Sequence, residues 1–482
     1  MTTNLKNIIT ILLLLCIDLA AFYCSLGSAY YTRKLINAVF PDMIAFTFPL
    51  TYFLAIWWLP VVFISFLSYE RLYVKKLPFW DEARECVKAV TISTVTILAM
   101  VTLGKMTDEI SRLTMLFLWG YGLFLFPLFR LLGKRVLFNL GLWKENVIIV
   151  GAGTAGIETA KGLHSEIHLG YNLIGFLDDD DDKIGKEIDI HGRKYKVFGK
   201  TKNFSKFTSL LNIPTIIIAI PSLPVERLTE LTNNIQRYVK DILLIPDLKG
   251  IALTNTELYH LFTQELFLLK IRNNLKSPYN RFIKRTFDIA VSLLLLPVLI
   301  PLISVFSVII KLGSPGPVFY RHTRVGRGGR SFGIYKFRSM YRDSQARLEA
   351  ILRTDPEAKQ EWAHSYKLKN DPRITRIGAF LRRTSLDELP QILNVLKGDM
   401  SLVGPRPVVE EELTKYYKEY SDYYELVRPG ITGLWQVSGR NDVDYPVRVR
   451  LDSWYVLNWS VWLDTLMLFK TVRVVLKKEG AY

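Results

Sequence analysis

Four apolar stretches in the first 135 residues constrain this chain more than any other feature. They run over approximately Ile8–Leu26, Ile44–Leu67, Ala89–Leu103 and Leu113–Leu132. A helix that crosses a bilayer needs about 20 apolar residues, so two or three of these stretches are long enough. The third stretch is short and rich in threonine, which makes it the weakest candidate. We therefore predict a bundle of four transmembrane helices over residues 1–135.

The basic residues around these stretches predict the orientation of the bundle. One group follows the second stretch and another lies at and beyond the end of the fourth: Arg71, Lys75, Lys76, Arg84 and Lys88, then Arg130, Lys134, Arg135 and Lys144. Positively charged segments tend to stay on the cytoplasmic side of a membrane. We therefore expect a multi-pass membrane protein, with the N-terminus and everything beyond about residue 135 in the cytoplasm.

The net charge and the cysteines exclude few classes of function. A formal charge of +17 suits nucleic acid, anionic lipid or a phosphorylated substrate equally well. The three cysteines, Cys16, Cys24 and Cys86, have no Cys-x-x-Cys spacing. Neither a zinc site nor a disulfide framework is indicated.

The residues from 146 to 270 have the pattern of a doubly wound, Rossmann-like α/β domain. Buried strands are expected at Val147–Val150, Leu173–Leu177, Thr215–Ile220 and Ile242–Ile245, with helical sequence between them. No Tyr-x-x-x-Lys pair occurs in this region, so redox chemistry is not expected.

A glycine motif follows the first of these strands and precedes a helix. It contains Gly151, Gly153 and Gly156, and the acidic run Asp178–Asp182 begins about 20 positions later. This context suits a dinucleotide, whose pyrophosphate approaches the backbone at a helix N-terminus. The same glycines also serve tight strand–helix packing. The pattern leaves two interpretations open, a nucleotide or regulatory site and a structural or oligomerising domain.

A fifth apolar segment, Ile289–Ile310, carries no charge over 22 residues. Pro297 and Pro301 fall near its middle, where each removes a backbone hydrogen bond and kinks or breaks a helix. Basic residues flank both ends, and a span would place one group outside. We therefore predict a re-entrant helix–break–helix over residues 280–312; the alternative is a kinked true span.

The remaining residues, 313–482, are polar, basic and rich in unusual local patterns. The adjacent carboxylates Asp387 and Glu388 stand in sequence among six basic residues: Lys336, Arg338, Arg382, Arg383, Arg406 and Arg440. Such a pair forms either surface salt bridges or a site for Mg²⁺ and phosphate. Mg²⁺ uses one or two carboxylates together with substrate phosphates, and arginine suits bidentate phosphate contacts.

Several motifs in this region identify a family by resemblance. They are Lys-Phe-Arg-Ser-Met from Lys336, Ser-Leu-Asp-Glu-Leu-Pro-Gln from Ser385, Lys-Gly-Asp-Met-Ser-Leu-Val-Gly-Pro-Arg-Pro from Lys397 and Pro-Gly-Ile-Thr-Gly-Leu-Trp-Gln from Pro429. In this order they resemble the bacterial sugar transferases, which transfer a sugar-1-phosphate to a polyprenyl phosphate. The resemblance extends over the whole chain and is greatest to the galactose-1-phosphate transferases of O-antigen and capsule synthesis. It implies a mainly α-helical catalytic domain over residues 313–482.

The resemblance also implies a reaction and its residues. Asp387 is the expected nucleophile on the β-phosphorus of UDP-galactose, releasing UMP and leaving a phosphosugar that undecaprenyl phosphate then accepts. Asp387 and Glu388 would hold Mg²⁺. Four cations are expected to bind phosphates, and two further residues are weaker candidates: Lys336, Arg338, Arg382 and Arg406, then Asp399 and Arg440. The resemblance also implies a location in the inner membrane of a bacterium, in contact with its lipid. A homodimer is expected, and nucleic acid is not an expected partner.

Other activities remain open from the sequence. UDP-glucose or a UDP-N-acetylhexosamine could replace UDP-galactose. A membrane glycosyltransferase would instead release UDP, with Asp178–Asp182 as a formal metal motif. A non-enzymatic scaffold of polysaccharide assembly would keep the membrane helices and the middle domain, but it would have no need of a carboxylate pair among arginines.

Overall fold

The computed structural model divides the chain into two compact units, Met1–Leu248 and Lys249–Tyr482. It describes residues 3–40, 49–104, 111–211, 213–247, 256–261, 266–271, 273–355, 359–360, 368, 371–438 and 444–477.

The first unit begins with apolar helices. They are α1 (Thr3–Val39), α2 (Leu50–Ala55), α3 (Trp58–Tyr69), α4 (Phe79–Leu103) and α5 (Arg112–Asn139). Within the described residues of this unit, α1, α4 and α5 are long and apolar enough to cross a membrane.

The second and third apolar stretches differ from the prediction. The second is divided into α2 and α3, because the ring of Pro60 would collide with the carbonyl of Ile56, and Ile56 leaves the helical conformation. The third was expected to be the weakest but lies in a helix of 25 residues. That helix starts about ten residues before the apolar stretch, and Asp81 and Glu82 in its first turn complement the helix dipole.

A network of buried charges joins these helices. Arg130 of α5 donates from Nε and Nη2 to the two carboxylate oxygens of Asp18 on α1, at 2.9 and 2.7 Å. Its Nη1 reaches Glu82 of α4 at 2.8 Å, and Lys134 pairs with the same glutamate oxygen at 2.7 Å. The Tyr73 hydroxyl donates to Asp18 at 2.7 Å. Two cations and two carboxylates therefore neutralise one another in the core of the bundle.

The α/β domain follows in the same unit. Its strands are β1 (Glu145–Val150), β2 (Tyr171–Leu177), β3 (Glu187–Ile190), β4 (Arg193–Gly199), β5 (Thr215–Ile218) and β6 (Asp241–Leu244). The helices are α6 (Thr154–Ser165), α7 (Phe204–Leu211) and α8 (Val225–Gln236). The sheet has the order β3-β4-β2-β1-β5-β6, and only β3 is antiparallel to its neighbour. The four strands predicted from the sequence are confirmed; the β3–β4 hairpin was missed.

Backbone conformation explains one glycine of the motif, and close packing explains another. Gly151 has φ +104°, a conformation that glycine adopts without strain. A Cβ on Gly156 would collide with the carbonyl oxygen of Gly151, so this glycine lets α6 approach β1. Gly153 has open space around its Cα. A nucleotide at this loop stays a prediction.

The acidic run after β2 is engaged within its own domain. Asp178 accepts the Ala152 N–H of the glycine loop at 2.7 Å, and Asp179 accepts from both the N–H and the hydroxyl of Thr201 at 2.8 Å. Asp181 pairs with Lys200 at 2.8 Å. These contacts stabilise the loop itself. They argue against the hypothesis that the run is a glycosyltransferase metal motif.

The second unit starts with a hairpin of β7 (Thr256–Leu261) and β8 (Leu266–Ile271). The sequence had placed the end of the α/β domain at residue 270, whereas the sheet ends at Leu244 and this hairpin belongs to the second unit.

Helix α9 (Pro278–Gly313) contains the fifth apolar segment. Pro297 and Pro301 lie inside one continuous helix of 36 residues, so the predicted interruption of the secondary structure is wrong. Both ends of α9 pack against the same unit. Lys284 near the start contacts Asp464 at 2.8 Å, and Ile310 near the end lies in a cluster with Phe337 and Leu381. The apolar middle is exposed, and Leu294 is 77% accessible.

The other elements of the second unit form a mainly helical domain with two small sheets. The helices are α10 (Ser344–Thr354), α11 (Arg376–Arg383), α12 (Ile392–Lys397), α13 (Ser421–Glu425), α14 (Leu434–Val437), α15 (Tyr445–Asn458) and α16 (Val461–Lys477), with one further turn at Glu410–Glu412. The strands are β9 (Phe319–Val325), β10 (Ser331–Phe337), β11 (Ser401–Val403) and β12 (Gly430–Thr432). β9 and β10 form an antiparallel hairpin, and β11 pairs with β12 in parallel.

Candidate active site

A cavity of about 1220 Å³ lies within the second unit. Its walls come from β9, β10, the segment after α11, and the region from β12 to α14, together with α9 and α16. Six cations and two carboxylates line it: Arg324, Lys336, Arg338, Arg342, Arg382 and Arg406, with Asp387 and Glu388. The cavity therefore brings both predicted carboxylates together with the four predicted phosphate-binding residues.

The lysine of the site, Lys336, lies near the end of strand β10. Side chains alternate along a strand, so Lys336 and Phe337 point to opposite faces, and Phe337 is buried in the core. The Lys336 ammonium donates to Glu388 Oε1 at 2.6 Å and lies 3.8 Å from Asp387 Oδ2. One cation therefore bridges the two adjacent carboxylates.

The carboxylate pair is presented on a short 3₁₀ helix, Leu386–Gln391. Ser385 precedes it with φ +57°, which is uncommon for a residue other than glycine. A side chain in this left-handed conformation costs roughly 1–2 kcal/mol. Strained backbone of this kind persists where the surrounding structure enforces it, often at functional sites. The sequence analysis gave no sign of this turn.

Burial raises the pKa of Asp387, and the charge of Glu388 adds to the effect. The positive charges of Lys336 and Arg382 oppose this shift and favour the carboxylate. Only the ionised form is a nucleophile, and the raised pKa moves the loss of that form toward higher pH than for an exposed aspartate. Lys336 and Arg382 therefore favour the ionised form of Asp387.

The four predicted phosphate-binding cations differ in how many of their donor atoms are already engaged in hydrogen bonds. The Arg338 guanidinium donates to the carbonyl oxygens of Ser314 and Pro315 at 2.6 and 3.0 Å, so it holds the turn after α9. Arg382 donates from Nε to the Ser339 hydroxyl at 2.9 Å, which leaves its Nη atoms for other contacts.

Arg406, the fourth of these cations, is exposed, and its guanidinium lies 5.8 Å from the centre of the Trp435 ring. Arg382, Arg406 and Lys336 are better placed than Arg338 to bind a ligand.

One of the two weaker candidates, Asp399, does not line this cavity. Asp399 accepts from Asn394 Nδ2 at 3.4 Å at the end of α12. Asn394 in turn binds the backbone of Gly333 and Tyr335 on β10. Asp399 therefore has a local structural contact. Arg440 lies outside the described residues.

The cavity has polar lining residues that the sequence analysis did not single out. They include His322, Arg324, Arg342, Thr432, Thr471 and Gln436. The hydroxyls of Thr432 and Thr471 are 2.7 Å apart and connect β12 to α16. Thr432, Trp435 and Gln436 belong to the motif that starts at Pro429, so that motif was the available signal.

One wall of the cavity is apolar and was also missed. Leu295 and Leu299 come from the exposed apolar helix α9, and Leu468 and Val472 come from α16. The cavity therefore joins a polar region that contains carboxylates and cations to a hydrocarbon surface. Such an arrangement suits a ligand with a phosphate at one end and an apolar chain at the other.

The carboxylate pair fits a magnesium ion only together with a substrate. Within the described part of the chain no group of three or more His, Cys, Asp or Glu side chains could hold a metal. Asp387 and Glu388 offer adjacent oxygen ligands, and Mg²⁺ commonly takes one or two carboxylates plus phosphate oxygens and water. The donor set is therefore compatible with Mg²⁺ that arrives with a diphosphate.

Comparison with known proteins agrees with this site. The family model described as "Bacterial sugar transferase" matches residues 279–478, and the one described as "CoA-binding domain" matches residues 73–246. The chain is 41% identical to "Undecaprenyl-phosphate galactose phosphotransferase" of Salmonella typhimurium, over 96% of this chain and 94% of that protein.

Two further relatives cover less of the chain. "UDP-glucose:undecaprenyl-phosphate glucose-1-phosphate transferase" of Escherichia coli is 32% identical over 73% of this chain and 72% of its own length. "Exopolysaccharide production protein ExoY" of Rhizobium meliloti is 46% identical over 42% of this chain and 90% of its own length. The chain is 41% identical to the Salmonella protein over nearly its full length, and the family model matches the unit that holds the cavity. The chain therefore belongs to the bacterial sugar transferase family and is a membrane-associated transferase of polysaccharide synthesis.

Proposed function

We propose that the protein transfers galactose-1-phosphate from UDP-galactose to undecaprenyl phosphate and releases UMP. The observation that carries the proposal is the position of Asp387: a partly buried carboxylate beside Lys336 and Arg382, in a cavity that also has an apolar wall. A nucleophile, phosphate-binding cations and a lipid surface are the three elements that this reaction needs.

In the first step, a carboxylate oxygen of Asp387 attacks the β-phosphorus of UDP-galactose. A phosphorus–oxygen bond forms to the enzyme, and the bond from that phosphorus to the bridging oxygen breaks. The bridging oxygen leaves with its electron pair as part of UMP. Lys336, Arg382 and Arg406 offset the negative charge that gathers on the phosphate oxygens. When Mg²⁺ is bound by Asp387 and Glu388, it supplies further charge neutralisation.

In the second step, a phosphate oxygen of undecaprenyl phosphate attacks the same phosphorus. The bond to Asp387 breaks, the carboxylate is regenerated, and the product is undecaprenyl-diphospho-galactose. Two displacements at one phosphorus replace a single difficult one, which is the usual benefit of covalent catalysis. We place the isoprenoid chain against Leu295 and Leu299 of α9 and Leu468 of α16, because these side chains form the apolar wall.

Galactose is the proposed sugar because the Salmonella relative covers nearly the whole chain and its name specifies galactose. The Escherichia coli relative, whose name specifies glucose, is less similar and covers less of the chain. UDP-glucose and UDP-N-acetylhexosamines are the alternatives to compare.

Incubation with undecaprenyl phosphate and a panel of UDP-sugars tests this proposal. We expect UMP as the first nucleotide product, with UDP-galactose used at least tenfold more efficiently than UDP-glucose. The nucleotide is separated by ion-exchange chromatography and the lipid product is identified by mass spectrometry. Initial release of UDP, with phosphatases excluded, would mean that the sugar carbon is attacked instead. A preference for another UDP-sugar would overturn only the choice of galactose.

We also propose that both ends of α9 lie on the cytoplasmic side of the membrane. Lys284 and Ile310 are held by one compact unit, while the apolar residues between them are exposed to the surroundings. A straight helix of 36 residues would be about 54 Å long, well beyond a hydrocarbon core of about 30 Å. We propose that the helix kinks at Pro297 and Pro301, where each proline removes a backbone hydrogen bond, and returns to the side that it entered.

Single cysteines test this topology in a background without Cys16, Cys24 and Cys86. We expect cysteines at Lys276 and Arg330, which lie on either side of α9, to react with a membrane-impermeant maleimide only after the cytoplasmic side is exposed. A cysteine at Val39, which ends α1 and is expected outside, is the control for labelling from the opposite side. Labelling of Arg330→Cys together with Val39→Cys would establish a true span and refute the return.

A further inference from the structure

A second group of basic side chains lies at the start of α9. Arg281, Lys284, Arg327 and Arg428 line one shallow recess together with Asp288. None of these residues lines the cavity that contains Asp387. We call this group the arginine recess.

Three of the cations in the arginine recess form no ion pair with an acidic side chain among the described residues. Lys284 pairs with Asp464, and Asp288 accepts from the Ser401 hydroxyl and the Leu402 N–H. Arg428 donates from Nε to the Gly398 carbonyl oxygen at 2.6 Å, so its Nη atoms remain available for a ligand.

Arg281 and Arg327 have no hydrogen bond or ion pair to another described side chain. Burial lowers the pKa of both Arg327 and Arg428, and repulsion from neighbouring arginines lowers it further, while the charge of Asp288 partly offsets this shift at Arg428. Close guanidinium groups without ion pairs repel one another, and a bound anion would offset this repulsion.

The position of the arginine recess on α9 indicates where that anion comes from. Tyr279 and Phe282 flank Arg281 on the exposed face of the helix, at 71% and 69% accessibility. Continuous exposed apolar side chains begin further along, at Leu293 and Leu294. Tyrosine and tryptophan are enriched at the headgroup level of a membrane, and Tyr279 fits this pattern. The recess therefore lies beside the place where α9 meets the lipid headgroups.

We propose that the arginine recess binds the phosphate of an anionic membrane phospholipid, such as phosphatidylglycerol. Three guanidinium groups provide forked donors that match phosphate oxygens, and they supply more positive charge than a zwitterionic headgroup would neutralise. Basic recesses on the cytoplasmic side of membrane helices recognise anionic headgroups by this chemistry. The lipid would fix the depth and angle of α9, next to the active-site domain that α9 supports.

Binding of short-chain lipids to the full-length protein in neutral detergent tests the proposal. The probes are dihexanoyl phosphatidylglycerol, dihexanoyl phosphatidylcholine and inorganic phosphate, and the readout is the shift of the thermal unfolding temperature with concentration. We expect phosphatidylglycerol to give a saturable stabilisation with at least tenfold higher affinity than either other probe. Raising the salt concentration should weaken it, because the contact is partly exposed to solvent.

The double variant R281Q/R327Q should lose at least tenfold in affinity for phosphatidylglycerol. A matched control, R353Q/K415Q, removes two exposed positive charges elsewhere in the same unit and should bind like the unmodified protein. If R281Q/R327Q does not fold, the single variant R327Q at the exposed turn should lose at least threefold. Unchanged affinity in the recess variants would overturn the site. Equal binding of phosphatidylcholine, or of inorganic phosphate, would overturn the assignment to an anionic lipid.

Discussion

Replacement of Asp387 by asparagine should reduce turnover by a factor on the order of 10³ or more, and no phosphosugar should be trapped on the enzyme. Removal of a covalent nucleophile has effects of this size or larger, since binding groups alone supply the remaining rate. Asparagine keeps the size of the side chain and removes the charged oxygen. The loss should persist at every Mg²⁺ concentration, because no added metal replaces the attacking atom.

Glu388→Gln should behave differently from Asp387→Asn although the two residues are adjacent. Glu388 lies 2.6 Å from Lys336, so its loss frees that ammonium and removes one proposed magnesium ligand. We expect a loss of about 10- to 100-fold, in the range typical of groups that support a metal site, and partial recovery at high Mg²⁺. The phosphosugar intermediate should still form.

Intact-protein mass spectrometry after brief incubation with UDP-galactose, without lipid acceptor, distinguishes the two variants. The unmodified protein and Glu388→Gln should gain the mass of one phosphosugar, and Asp387→Asn should not. Glu411→Gln, an exposed position outside the cavity, is the control for a change of one negative charge. Turnover by Asp387→Asn within tenfold of the unmodified protein would show that another residue is the nucleophile.

The strands of the α/β domain and the common location of the two candidate carboxylates could be predicted from the sequence because their signals are local. A continuous run such as Val147–Val150 is typical of a buried parallel strand, and the structure places β1 there in the middle of the sheet. Asp387 and Glu388 are adjacent in a motif, so their common location follows without knowledge of the fold. Lys336 lies 51 positions before Asp387. The sequence placed it among the basic residues of the region and the resemblance suggested phosphate binding, but neither predicted its contact with the pair.

Other features depend on contacts between distant segments, and no local pattern reports those. Leu468 and Val472 look like ordinary residues of an amphipathic helix, yet α16 forms a wall of the cavity. Arg338 matched the pattern of a phosphate-binding residue, but its guanidinium is engaged by the carbonyls of Ser314 and Pro315. Mg²⁺ and the homodimer stay predictions from the resemblance.

The charges of the N-terminal bundle illustrate the same limit. Arg130 and Lys134 were counted among the basic residues that set the orientation, as though they were free at the end of a span. In the structure both are about 1% exposed and bind carboxylates on α1 and α4. The sequence did not indicate that Asp18 and Glu82 are paired. Arg130 lies 112 residues from Asp18 and 48 residues from Glu82, so only the fold shows these contacts.

Replacement of Arg130 by methionine should destabilise the first unit by about 3–5 kcal/mol, the range for breaking a buried ion pair from one side. Asp18 would keep only the Tyr73 hydroxyl as a side-chain donor among the described residues, and its charge would remain buried. Since folded domains are stable by only about 5–15 kcal/mol, much of the first unit should then be open to proteolysis.

Arg135→Met is the matched control, because Arg135 lies on the same helix but is exposed. Limited proteolysis and thermal unfolding in detergent should separate the two variants clearly, with Arg135→Met close to the unmodified protein. The double variant D18N/R130M should recover part of the loss, since it removes the uncompensated carboxylate as well, and the recovery measures the coupling between the two residues. If Arg130→Met is as stable as Arg135→Met, the buried network contributes little and apolar packing alone holds α1, α4 and α5 together.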